Sequence, residues 1–173
     1  MFKTTANKIT MLRIVLIPVF LVLAYMGNMI PALIVYIIAC LSDFADGYIA
    51  RHYNQISNFG KFMDPLADKM LVLASMCFFV ENGQMAGWAV AVVLFREFAV
   101  SGMRLLAVEQ GQVIAAAWSG KVKTFATMIC LIVMLLINNP IINLISTIVI
   151  VGTTVYSGVE YFYVNRAVFK EAD

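Results

Sequence analysis

Six apolar runs, each near the length of a membrane span, alternate along the chain with short polar breaks. They fall at about 9–26, 31–51, 59–80, 85–108, 124–137 and 141–163. A bilayer core of about 30 Å takes about 20 apolar residues per helix, so the pattern predicts six transmembrane helices. The breaks are brief: Gly27-Asn28, Glu81-Asn82-Gly83 and Asn138-Asn139-Pro140. Nothing resembling a linker, a low-complexity tract or an internal repeat interrupts the series. The expected fold is therefore an all-α integral membrane protein. It forms one transmembrane domain over residues 1–173, with residues 2–8 as a short interfacial segment. No small-residue cleavage site follows the first run, so that run is expected to be retained as a helix.

Composition agrees with the pattern. Of 173 residues 62% are hydrophobic and only 13% charged, far from a soluble globular chain. The basic residues are distributed one-sidedly. The breaks near Asn28, Asn82 and Asn139 hold no Lys or Arg. Lys3, Lys8, Arg13, Arg51, Lys61, Lys121, Lys123, Arg166 and Lys170 fall on the other side, and Lys69, Arg96 and Arg104 lean toward it. Basic residues favour the cytoplasmic face, so both termini are expected there. Cys40, Cys77 and Cys130 are scattered through three spans without metal-ligand spacing and read as buried thiols. His52 is the one histidine, which argues against zinc and against a histidine-based hydrolase.

Against this apolar background one stretch is exceptional. LSDFADGYIARHYNQISNFGKFMDPLADKM, from Leu41 to Met70, carries Asp43, Asp46, Asp64 and Asp68, four of the ten acidic residues. Ionisable side chains at membrane depth are costly and are functional candidates by default. On a helix Asp43, Asp46, Gly47 and Ala50 share one face; on the next, Ser57, Gly60, Asp64 and Asp68 do so. Two such helices packed together would gather four carboxylates into one polar site in the cytoplasmic half. Like charges repel, so cations are needed, and oxygen ligands in that number suit one or two Mg²⁺, Mn²⁺ or Ca²⁺ ions. Gly47 and Gly60 would let a bulky ligand approach the backbone, and Arg51 is placed to meet phosphate oxygens. Pro65 inside the stretch predicts either a helix start or a kink. Lys69 is expected to pair with Asp68 or to favour its ionised form.

The spacing D-x2-D-G-x2-A-R-x8-G-x3-D-x3-D, read from Asp43 to Asp68, resembles the signature of the CDP-alcohol phosphatidyltransferase family. The resemblance implies a transferase of phospholipid biosynthesis. Asp43, Asp46 and Asp64 would bind metal, and Asp68 would both sit near the second metal and act as base. It also implies two Mg²⁺ (or Mn²⁺) ions per site, a homodimer, and CDP-diacylglycerol as lipid donor. Asp46, Gly47, Ala50, Arg51, Ser57 and Gly60 would line the donor. Asn7 and Thr10, in the opening N-x2-T-x2-R that ends at Arg13, would touch its nucleotide. The bland alternative for that opening is a helix cap with a basic residue at the membrane surface.

Two later blocks narrow the expectation. L-F-R-E-F-A-V-S-G-M-R-L places Arg96, Glu97, Ser101 and Arg104 in a broad arc of one helix. Arginines in an apolar helix ask for anionic partners, one of them Glu97. The competing view is a structural Arg–Glu pair with Arg104 reaching to the interface. In W-S-G-K-V-K-T, Lys121 and Thr124 share a face while Lys123 points away toward lipid headgroups. Both blocks resemble the branch of the family that uses glycerol 3-phosphate as acceptor, with Arg96, Arg104, Lys121 and Thr124 as its expected ligands. Phe98 stands where a smaller aliphatic residue is expected. Other acceptors, inositol phosphate or serine, are the near alternative, and a divalent-cation transporter is the distant one. Transport predicts carboxylates on both sides of the midplane or an inverted repeat. Nucleic acid is not among the expected partners; membrane lipids are. The last two spans read as scaffold or subunit contact, with Gly83 and Gly87 as a weak packing signal.

Overall fold

A computed structural model describes residues 5–52, 58–112, 114, 117–166 and 168, with backbone alone for residues 5–6, 43–52 and 58–62. All regular structure among the described residues is helical. The helices are α1 (Thr5–Tyr25), α2 (Met29–His52), α3 (Asn58–Glu81), α4 (Gly87–Glu109), α5 (Trp118–Leu136) and α6 (Pro140–Val164). With 19 to 25 residues each, and about 1.5 Å per residue, they are about 28–38 Å long, the scale of a bilayer core. Each expected segment has its helix. The largest boundary difference is at α5, which begins at Trp118 rather than near residue 124.

Local chemistry ends the helices where the sequence breaks. Gly27, Gly83 and Gly111 each take a positive φ, of 79°, 69° and 73°, which L side chains rarely adopt. The residues that follow close the exposed carbonyls: the amides of Asn28, Gln84 and Gln112 donate back to Leu23, Phe79 and Ala107. At the start of α6 the Asn139 side chain accepts from the amide of Ile141 at 2.9 Å, and Pro140 occupies the first turn. Pro65 lies inside α3, which neither starts there nor ends.

Helix α1 packs on α2 and α3, α5 on α6 and α2, and α4 on α6 and α3. The main core draws on all six helices, with Ile150 from α6, and holds Phe20, Tyr36, Phe78 and Phe79. Their rings meet in tilted and edge-on pairs 5.5–6.5 Å apart, the arrangement aromatic quadrupoles favour. A smaller cluster of Val100, Met103 and Tyr161 joins α4 to α6.

The polarity of the surface is inverted relative to a water-soluble bundle. Helix α6 buries Asn143, Ser146, Thr147, Thr154 and Ser157, while Ile141, Leu144, Ile145, Ile148 and Val159 face outward. That is the distribution expected when the surroundings are lipid and polar side chains must find partners inside. Among the described residues three helices are long and apolar enough to cross a bilayer: α1 from Asn7, α5 and α6. In α2, which continues to His52, the described side chains form an apolar run over Met29–Ser42. Helices α3 and α4 carry internal charges that lower their hydropathy. Cys40 is buried as expected, whereas Cys77 is exposed and Cys130 half-buried. An apolar span can turn a thiol to lipid without loss.

Candidate active site

Helix α3 supplies the described part of the acidic site. Asp64 and Asp68 stand one turn apart on it, and Thr10 of α1 donates its hydroxyl to Asp64 Oδ1 at 2.5 Å. The opening motif is thus joined to the acidic stretch by contact between α1 and α3. Asn7 and Thr10 are both buried. Arg13 is fully buried, and its Nε donates to Ser42 Oγ at 3.1 Å. Ser42 in turn donates to the carbonyl of Ala39. The third residue of N-x2-T-x2-R therefore reaches the residue just before Asp43. Its i, i+3, i+6 spacing from Asn7 and Thr10 was the signal for that role.

Asp43, Asp46, Gly47, Ala50 and Arg51 lie on the helical backbone of α2, and Gly60 on that of α3. Their side chains fall outside the described residues, and Ser57 does so entirely. Among the described residues no cluster of three or more metal-ligating side chains occurs. The donor chemistry fits a hard divalent cation, since Asp64 and Asp68 present carboxylate oxygens from adjacent turns.

Asp68 opens onto a cavity of about 630 Å³, within the range of small-molecule sites. Its walls come from α3, α4, α5 and Tyr161 of α6. Arg96, Arg104, Lys121 and Thr124, expected to bind the acceptor, all line it together with Asp68. Lys69, Ser101, Glu97 and Lys123 join them. Five basic side chains thus face two carboxylates, an environment that favours an anionic ligand.

Two of these cations are engaged with the cavity wall in ways that leave donors over. Arg104 donates Nε to the Tyr161 hydroxyl at 3.0 Å and lies over its ring at 5.5 Å. Lys121 stands 5.9 Å from the centre of the Trp118 ring, three residues back on α5. Thr124 donates its hydroxyl to the carbonyl of Gly120 at 3.1 Å.

Three other cations converge on Glu97. Lys123 Nζ donates to its Oε1 at 2.6 Å and Arg96 Nη1 to the same oxygen at 3.0 Å. Lys69 Nζ lies 3.7 Å from Oε2 and donates to Ser101 Oγ at 2.7 Å. Arg96 also donates to Ser157 of α6 at 2.6 Å. The expectation that Lys123 points to lipid headgroups is therefore corrected: its side chain is only 8% exposed. Starting α5 at Trp118 turns Ser119 and Lys123 to the buried side. Lys69 likewise turns to α4, where it meets Ser101 and Glu97. Ser157 carried no sequence signal, since nothing marks a serine in an apolar helix as an arginine partner.

The comparisons with known proteins point the same way. A family model described as CDP-alcohol phosphatidyltransferase matches residues 3–157. A Bacillus subtilis protein named CDP-diacylglycerol–glycerol-3-phosphate 3-phosphatidyltransferase is 40% identical, over 96% of this chain and 97% of its own. Proteins of the same name from Salmonella typhimurium and Rickettsia typhi are 39% and 34% identical. The match covers 71% of this chain and 71% of the Salmonella protein, and 78% and 77% for the Rickettsia protein.

Proposed function

The chain belongs to the CDP-alcohol phosphatidyltransferase family, and on that premise we propose that it transfers a phosphatidyl group from CDP-diacylglycerol to sn-glycerol 3-phosphate. The products are phosphatidylglycerophosphate and CMP. It is a membrane enzyme of phospholipid biosynthesis. The observation that carries the acceptor is the cavity in which Asp68 shares one space with Arg104 and Lys121.

The reaction joins the acceptor's hydroxyl oxygen to the phosphorus that bears the diacylglycerol, and the bond from that phosphorus to the CMP oxygen breaks. Asp68 takes the proton from the attacking hydroxyl, which a carboxylate held beside it can do. Arg104 offers its two terminal nitrogens to the acceptor's phosphate while Tyr161 holds its Nε. Lys121 adds a point charge from α5 and Thr124 a hydroxyl from the next turn, with Arg96 behind them. Thr10 orients Asp64 through the bond between them, and Asn7 accompanies it on the nucleotide side. Asp46, Gly47, Ala50, Arg51, Ser57 and Gly60 complete the donor's surroundings.

The family is divalent-metal dependent. We assign two ions, Mg²⁺ or Mn²⁺, to Asp43, Asp46, Asp64 and Asp68. When bound they would neutralise the donor's pyrophosphate and make its phosphorus more electrophilic. All six helices are taken as spans of one domain with both termini and the site on the cytoplasmic side, following the basic residues. The protein is taken as a homodimer. The test is CMP release by purified protein, with CDP-diacylglycerol as donor, against a panel of acceptors. Glycerol 3-phosphate should be preferred; preference for inositol phosphate, serine or an uncharged alcohol would overturn the acceptor.

A further inference from the structure

Glu97 has no part in that chemistry, yet it holds three cations of the same cavity. A carboxylate in a pocket for a dianion is, by charge alone, a disadvantage. Its surroundings supply a reason for it. Helices α4 and α5 do not pack backbone to backbone among the described residues, and the cavity lies between them. The Glu97–Lys123 ion pair, at 2.6 Å, crosses that gap. Arg96, on the same Glu97 oxygen, ties the pair on to Ser157 of α6. A Cβ at Gly158 would stand 3.2 Å from Arg96 Cγ, and one at Gly120 would stand 3.5 Å from its Nη2, so α6 and α5 also close around this arginine. Lys69 brings in α3.

The two side chains assigned to the acceptor's phosphate, Arg104 and Lys121, come one from α4 and one from α5. Their separation depends on what spans the gap between those helices. We propose that Glu97 is the positioning residue of the acceptor pocket, setting the spacing of Arg104 and Lys121 through its ion pairs with Lys123 and Arg96. The proposal rests on the acceptor reading above. Two cations sharing one oxygen repel each other once that oxygen loses its charge. Neutralising Glu97 would therefore part α4 from α5 and open the phosphate clamp. Charge and positioning predict opposite signs: removing an acid from an anion pocket should tighten the acceptor, whereas releasing the clamp should weaken it.

The experiment compares purified wild type with Glu97→Gln, Glu97→Asp and the double variant Glu97→Gln/Lys123→Met. It measures KM for glycerol 3-phosphate, KM for CDP-diacylglycerol, and thermal unfolding. Wild-type transfer to glycerol 3-phosphate is measured first, and its absence overturns the acceptor reading; the ratio of variant to wild type bears on Glu97. Glu97→Gln should raise the acceptor's KM about tenfold or more, as displacement of a positioning group does. The donor's KM should stay within about twofold, and Glu97→Asp should recover part of the loss. The double variant removes the ion pair without changing net charge, so it should fold and keep the raised acceptor KM even where Glu97→Gln does not fold. An acceptor KM that is unchanged or lowered in the folded variants would overturn the proposal. So would an equal rise in both KM values.

Discussion

Replacing Arg104 by Lys tests the acceptor pocket most directly. The Arg104 guanidinium is held at Nε by the Tyr161 hydroxyl at 3.0 Å, and Tyr161 is itself buried at 1% exposure. That anchor fixes the plane of the fork and leaves both terminal nitrogens for a phosphate, two parallel charge-assisted bonds. A lysine keeps the charge but has neither the Nε donor nor the planar pair. One bond to a charged group is worth about 1.5–3 kcal/mol. Arg104 is exposed within the cavity, so screening places the loss near the lower figure, about 1.5 kcal/mol. That corresponds to about a tenfold rise in KM for glycerol 3-phosphate. Tyr161→Phe, which removes the anchor but keeps the fork, should raise it about threefold, from a loss of about 0.7 kcal/mol. Because the two act through one bond, the double variant should cost less than the two single effects combined. Steady-state kinetics with each substrate varied in turn gives the values; a change in KM with little in kcat is the sign of lost ground-state binding. An acceptor KM within twofold of wild type in Arg104→Lys, or a loss seen only with CDP-diacylglycerol, would refute the assignment.

The other predictions concern metal, topology and stability. Asp43→Asn or Asp64→Asn should abolish transfer in a folded protein, and a chelator should do so reversibly in wild type; full activity in either case would count against the metal site. Cysteines placed at Asn28, Asn82 and Asn139 in a Cys-free background should react with an impermeant reagent from outside, and one at Glu109 should not. Lys123→Ala should lower unfolding stability by about 1–3 kcal/mol, since it leaves the half-buried Glu97 with one fewer partner; an unchanged melting temperature in detergent would show the pair to be dispensable.

The sequence by itself determined the helices that the described residues form, because long apolar runs between short polar breaks favour backbone bonding within each helix. It determined the family too, through eight positions at fixed spacing from Asp43 to Asp68. The grouping of Arg96, Arg104, Lys121 and Thr124 was implied by the resemblance of their two blocks to one branch of the family, and charge in apolar helices pointed to the three cations among them. Tertiary structure decided which way those cations turn. Lys123 looked like a headgroup contact because it points away from the face shared by Lys121 and Thr124; the packing of α5 turns that side to Glu97. Helical periodicity fixes the angle between residues of one helix, but the face that is buried depends on the neighbours. Arg13, whose bland alternative was a basic residue at the membrane surface, is enclosed because α2 covers it and Ser42 meets it there. Ser157 became a partner of Arg96 only because α6 crosses α4 at that level. A polar side chain in lipid surroundings takes the nearest partner, and distance between helices is a property of packing, not of spacing along the chain.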